Sequence, residues 1–164
     1  MGRDIFLVGP SYCGKSELCK VIEQFVAANE IHVGDCVRKK YKEWGEEVPM
    51  KISCDDLADI IRENIMFGHS NIIDNAFKDT CQASKVLEMY NEWKRPFSII
   101  WINDKRTNVD FTSRGRADDD RVIAKRKDWN KFSKELWTLL STKYKDFLTV
   151  VENTNEGFVF QKVS

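Results

Sequence analysis

The sequence predicts an α/β fold, a mostly parallel sheet covered by helices on both faces. Two observations predict it. Short apolar, β-branched runs alternate along the chain with amphipathic stretches of helical period. The first apolar run stops at a glycine-bounded loop that opens straight into a helical pattern, the order of a strand–loop–helix unit. With 164 residues and 42% hydrophobic content, the chain is one domain's worth of protein with a core of its own.

The elements follow in order. Residues 5–8 are a continuous apolar run ending at Gly9-Pro10, as a parallel strand buried on both faces requires. Residues 15–28 carry Leu18, Val21, Ile22, Phe25 and Val26 at helical spacing. Residues 36–44 read as an amphipathic helix through Val37, Tyr41 and Trp44, stopped by Gly45. Ser53 reads as an N-cap with Asp55 and Asp56 in the first turn, and Leu57, Ile60, Ile61, Ile65 and Met66 carry that helix to Gly68. Residues 71–74 are a second short buried strand that ends on a carboxylate. Residues 79–93 are helical with Pro96 just beyond, and residues 98–102 are a strand. Residues 103–117 are polar and bear arginines, a loop or flap. Residues 118–144 form one long helix or two, and residues 147–151 a final strand.

Composition excludes several classes. Lys plus Arg is 26 and Asp plus Glu is 26, so a global electrostatic nucleic-acid binder is not expected. No apolar run approaches the roughly 20 residues of a membrane span, and no secretory leader is read at the N-terminus. The five cysteines (Cys13, Cys19, Cys36, Cys54 and Cys81) are odd in number, widely spaced and without a C-x-x-C pair. Reduced thiols in a cytoplasmic protein are the expectation, with Cys13 partly exposed and oxidisable in its loop. His32 and His69 have no cluster of ligands at metal-binding spacing.

Gly9-Pro10-Ser11-Tyr12-Cys13-Gly14-Lys15-Ser16 fits G-x-x-x-x-G-K-S/T at every position, between a strand and a helix. Glycines let successive backbone N–H groups wrap a phosphate, and the helix N-terminus adds its dipole. A lysine here reaches the β- and γ-phosphates and a Ser16 hydroxyl can ligate Mg²⁺. The ATP-binding set is therefore residues 9–17, Glu17 included. Asp74, closing Ile72-Ile73, is the candidate for holding Mg²⁺ through water. Asn103-Asp104-Lys105 scrambles the base-reading motif of a GTPase, and the length suits a small phosphotransferase.

Four further segments resemble the nucleoside monophosphate kinases of the adenylate kinase and UMP/CMP kinase family. Ile31-His32-Val33-Gly34-Asp35-Cys36-Val37-Arg38 is similar to I-S-T/A-G-D-L-L-R, and Gly45-Glu46-Glu47-Val48-Pro49 to G-x-x-V-P. Residues 73–83, with Asp74, Asn75, Lys78 and Gln82, keep the spacing of D-G-F-P-R-T-x-x-Q-A. Arg114-Gly115-Arg116-Ala117-Asp118-Asp119, followed by Arg126, resembles the lid and the helix after it. The resemblance covers roughly residues 5–150.

It implies a P-loop NTPase three-layer fold with a five-stranded parallel sheet, all one kinase domain over residues 1–164. The core would be 1–31, 63–104 and 119–164, with an NMP-binding flap at about 32–62 and a short lid at about 105–118. It implies ATP plus NMP giving ADP plus NDP with Mg²⁺, by a monomer without nucleic-acid or membrane partners. Lys15, Arg114, Arg116 and Arg126 would be catalytic. Val33, Gly34, Arg38, Val48, Asn75, Lys78, Gln82, Arg116 and Arg126 would hold the NMP. Two nucleotides bring several negative charges into one cleft, and converging guanidinium groups answer that need. The family's Arg is Lys78 here, its Gly is Asn75 and its Pro is Phe77, so the base stays open. Two other readings also stay open: a small P-loop kinase acting on a non-nucleotide alcohol, and a nucleotide-binding regulatory protein with weakened catalysis.

Overall fold

Five residues, Asp4–Val8, form β1 in the middle of the sheet, and Phe6, Leu7 and Val8 are buried. The computed structural model describes residues 3–10, 13–107 and 119–162. After β1 come α1 (Lys15–Glu23), β2 (Ala28–His32), α2 (Val33–Glu43), α3 (Cys54–Asn64) and β3 (Ser70–Asp74). Then follow α4 (Thr80–Glu92), β4 (Phe97–Asp104), α5 (Asp119–Lys143), β5 (Leu148–Thr154) and β6 (Gly157–Lys162). The strand order is β2-β3-β1-β4-β5-β6. The pairs β2·β3, β3·β1, β1·β4 and β4·β5 are parallel and β5·β6 is antiparallel.

The α/β class is as expected, but among the described residues the sheet has six strands rather than five. The additional strand is β6. Thr154 pairs with Gly157 across a two-residue turn, and Gly157 takes φ 124° there, a conformation L side chains rarely adopt. Phe158 then packs against the same cluster as Leu7 and Val151, while Val159 and Phe160 are exposed. Among the described side chains of β6 only Phe158 turns inward, so the strand covers the sheet edge with that single side chain.

Two helices also end early: α3 stops at Asn64 rather than at Gly68, leaving Ile65 and Met66 outside it, and α1 ends at Glu23 rather than at Ala28. Phe25 and Val26 continue the helical spacing, yet both lie outside the helix and Phe25 is 82% exposed. The Phe25 and Val26 N–H groups both donate to the Ile22 carbonyl, at 2.9 and 3.0 Å, which turns the chain out of the helix. It then enters β2, an edge strand in which Ile31 alone is buried.

Packing divides the helices between the faces. Leu18, Cys19 and Ile22 of α1 cover one face with Leu7, Ile72, Ile100, Ile102 and Val151. The other face carries α2, α3, α4 and α5 on Phe6, Val8, Ile73, Ile99 and Trp101. The connection after β1 therefore leaves to one side and those after β3 and β4 to the other. Such a divergence opens a crevice at the carboxyl ends of the strands, beside β1.

The opposite end of the sheet is closed by a buried charge network. Asp4 is fully buried and accepts from Tyr90 Oη at 2.6 Å, Arg95 Nε at 2.8 Å and Arg95 Nη2 at 2.9 Å. The Asn71 backbone N–H and side-chain amide donate to it at 3.0 Å each. Every lone pair has an answer, the condition under which a buried ion pair is tolerated.

Cysteine use differs from expectation. Cys54 and Cys81 form a disulfide, and Cys13, Cys19 and Cys36 are free. Cys13 is fully buried rather than partly exposed, and burial pushes its thiol up, with Lys15 opposing. A buried neutral thiol is inert. Among the described residues, no helix is long and apolar enough to cross a membrane.

Candidate functional site

The site begins where β1 ends. Gly9 and Gly14 are both required by close approach. A Cβ on Gly9 would stand 2.7 Å from Cys13 Sγ, and one on Gly14 would stand 2.4 Å from Asn153 Nδ2. Gly14 also takes φ 97° as the N-cap of α1. The Asn153 amide at the end of β5 donates to the Cys13 carbonyl at 2.9 Å, tying the loop to the sheet. Ser53 caps α3 and Asp79 caps α4 through their side chains, whereas Gly14 offers none to α1. The first-turn amides of α1 thus keep their donors for a partner other than a capping side chain. Lys15 spans the loop, donating to the Pro10 carbonyl at 2.7 Å and the Gly9 carbonyl at 3.1 Å. Ser16 is half-buried in the first turn of α1 and Glu17 is exposed. Ser11 and Tyr12 lie outside the described residues.

Asp74 ends β3 beside the loop and is 7% exposed. One carboxylate oxygen, Oδ2, stands 3.3 Å from His32 Nδ1, and the other, Oδ1, is buried with no hydrogen-bond partner. An orphaned buried carboxylate oxygen carries a desolvation cost that a cation or its water would remove. With the Ser16 hydroxyl, the donor set is oxygen only, which suits a hard ion such as Mg²⁺. The residues present fit that ion.

Asp104 ends β4 on the other side of β1. It accepts from Arg106 Nε at 2.9 Å, Arg106 Nη2 at 3.0 Å and Arg126 Nη2 at 2.9 Å. Burial pushes the Asp104 carboxyl up, but the Arg106 side chain and backbone N–H and then Arg126 more than offset it, leaving it below its usual range. The charges of both Asp104 and Asp74 reach Cys13 in the loop. Lys15, Asp74 and the Asp104–Arg126 pair therefore gather at the carboxyl ends of three neighbouring strands.

The residues expected to hold an acceptor are spread over α2, the segment after it, and the segment from Asn75 to the start of α4. Gly34 and Arg38 sit on α2, where Arg38 pairs with Asp35 and folds against Gly34, 3.4 Å from where a Cβ would be. Val33 is buried in the core and Val48 is exposed. Asn75 takes φ 61°, the left-handed conformation that glycine adopts freely and asparagine tolerates, which explains how it stands where the resembling motif has Gly. Lys78 is exposed. Gln82 is 5% exposed and its amide is engaged by backbone: Oε1 accepts from the Lys78 N–H at 2.9 Å and Nε2 donates to the Ile52 carbonyl at 3.0 Å. Arg114, Arg116 and Asp118 lie outside the described residues, as do the side chain of Asp119 and most of the expected lid.

Sequence reasoning did not single out His32, Asp104 or Asn153 as site residues. Asp104 had a readable signal, because it closes an apolar strand as Asp74 does. His32 and Asn153 had none, since their partners are 42 and 140 residues away. No protein-family model matches this chain, and no curated protein sequence matches it. What the geometry defines by itself is a class: an open, mostly parallel α/β sheet with a glycine-bounded loop and lysine at the carboxyl end of its central strand.

Proposed function

We propose that this chain is an ATP-dependent nucleoside monophosphate kinase on a P-loop NTPase fold. It transfers the γ-phosphate of ATP to a (deoxy)nucleoside monophosphate, giving ADP and NDP. The observation that carries the reading is the G-x-x-x-x-G-K-S/T loop between β1 and α1, flanked by Asp74 and by the Asp104–Arg126 pair.

Phosphoryl transfer asks the protein for position and charge rather than covalent chemistry. The backbone N–H groups of residues 14–16, at the uncapped start of α1, would receive the ATP phosphates. The Lys15 ammonium would exchange its two loop carbonyls for phosphate oxygens. Ser16, directly, and Asp74, through water, would hold Mg²⁺, which when bound offsets phosphate charge. Arg126, oriented by Asp104, would face the transferring group with the lid arginines Arg114 and Arg116. Arg38 and Lys78 would grip the acceptor phosphate, and the segment at about 32–62 would enclose the acceptor.

The test is an ADP-release assay over a panel of NMPs, dNMPs and small alcohols, run with and without Mg²⁺. Turnover with one or a few NMPs and none with the alcohols is expected. Turnover with an alcohol alone would move the chain to a different small-kinase reaction. Nucleotide binding without turnover on any acceptor would make it a regulatory protein.

A further inference from the structure

The disulfide joins the first turns of two helices. Cys54 is the first residue of α3 and Cys81 the second of α4, with a Cα–Cα distance of 6.0 Å. Around it lie Lys51–Asp79 at 3.1 Å, Lys85–Asp55 at 3.2 Å and the Gln82–Ile52 hydrogen bond at 3.0 Å. Lys51, Asp55 and Lys85 are more than half exposed, and ion pairs of that kind hold little. Deeper along the same helices Leu57, Ile60 and Ile61 pack in one apolar core with Ala83, Val86 and Leu87, and that packing needs no covalent link. The bond therefore governs the upper ends of α3 and α4 and the irregular residues 44–53 before them, not the fold as a whole.

Two features make the bond exchangeable. Cys81 is exposed and Cys54 half-buried, so a small thiol can reach the sulfurs. Both sulfurs stand in the first turn of a helix, where the macrodipole stabilises the thiolate and so favours the reduced form. Exposed disulfides with stabilised thiolates are the labile kind.

We propose that Cys54–Cys81 is a reversible redox latch that decides whether residues 44–56 are held against the N-terminal end of α4. The co-reactant is a small-molecule thiol/disulfide couple such as glutathione. In closing, the Cys81 thiolate attacks one sulfur of the small disulfide and releases one small thiolate. The Cys54 thiolate then attacks the Cys81 sulfur of the mixed disulfide and releases the second. Two protein thiols lose two electrons, the small disulfide gains them, and the two thiol protons end on the released thiols. Opening is the reverse. The latch does not depend on which acceptor the chain uses.

The full chain, equilibrated in glutathione buffers from fully reduced to fully oxidised, is quenched and alkylated, and its free thiols are counted by mass. Hydrogen exchange is followed in the same samples. Free thiols should fall from five to three across the series. Cys54→Ser and Cys81→Ser should each abolish the conversion, and Cys36→Ser should leave it. On reduction, exchange in residues 44–56 should accelerate about tenfold or more, with β1, β3 and β4 unchanged. A bond that survives fully reduced glutathione would overturn the proposal, as would unchanged exchange on reduction. So would loss of protection through the whole sheet, which would mark a staple required for folding. All three outcomes are read on the wild-type chain and need no variant to fold.

Discussion

His32 Nδ1 and Asp74 Oδ2 stand 3.3 Å apart at the adjoining ends of β2 and β3, and the second Asp74 oxygen is buried with no partner. A carboxylate kept half-answered inside a protein is a stability defect unless function uses it. Asp74→Asn should therefore leave the denaturant midpoint unchanged or raise it. The Mg²⁺ concentration needed for ADP release should rise about 10- to 100-fold. A destabilised variant with an unaltered Mg²⁺ titration would make Asp74 purely structural.

Lys15 donates to two loop carbonyls in this structure. Lys15→Ala should remove those bonds at about 1–2 kcal/mol. Its effect on kcat should be larger, about 100- to 1,000-fold, because charge at the developing transition state is lost. Near-wild-type kcat would withdraw the ATP-site assignment while leaving the fold untouched.

Arg38 and Arg126 should separate kinetically. Arg38 lies on α2 beside Asp35, and in the proposed reading it grips the acceptor phosphate, so Arg38→Ala should mainly raise KM for the NMP. Arg126 is oriented by Asp104 at the strand ends, so Arg126→Ala should mainly lower kcat. Small, equal effects on both parameters in both variants would mark the two as ordinary surface charges.

Asp104 gives a pH prediction with a definite sign. Its carboxyl is held below the usual range in the folded chain, so the unfolded chain binds its proton more readily. The stability this contributes is fully present above the unfolded value, about pH 4, and is lost as pH falls through the folded one. Urea melts of wild type and Asp104→Asn should differ most at neutral pH and converge in acid. A difference that stays constant down to acid would show that Asp104 stabilises by something other than its charge.

Arg95→Ala should cost about 3–5 kcal/mol, because it strands the Asp4 carboxylate in the core. The network lies at the far end of the sheet from the loop at residues 9–16. Activity per folded molecule should therefore be unchanged, with the loss visible only in thermal or denaturant unfolding.

What could be read from the sequence alone is what is decided over a few neighbouring residues. The run at 5–8 followed by Gly9 and Gly14-Lys15-Ser16 specifies a strand, a loop and a helix start by local sterics. Ser53 does cap α3, accepting from the Asp56 N–H at 3.1 Å, because capping reaches only three residues; Asp79, read as the first residue of its helix, instead caps α4. Asp74 was placed at a strand end by the apolar pair before it. Tertiary structure decided the rest. Phe25 and Val26 prolong the period of α1, but the chain turns out of the helix after Glu23 and leaves Phe25 in solvent. β2 is hidden because an edge strand buries too little to leave a pattern, with Ile31 its single core residue. Neither the turn at residues 155–156 with β6 beyond it nor the seat of Phe158 beneath Gly14 was legible. The partners of Cys54, Asp4, Asp104 and Cys13 lie 27, 91, 22 and 140 residues away. Contacts at such separations leave no periodicity, since they arise only when the fold brings distant elements together.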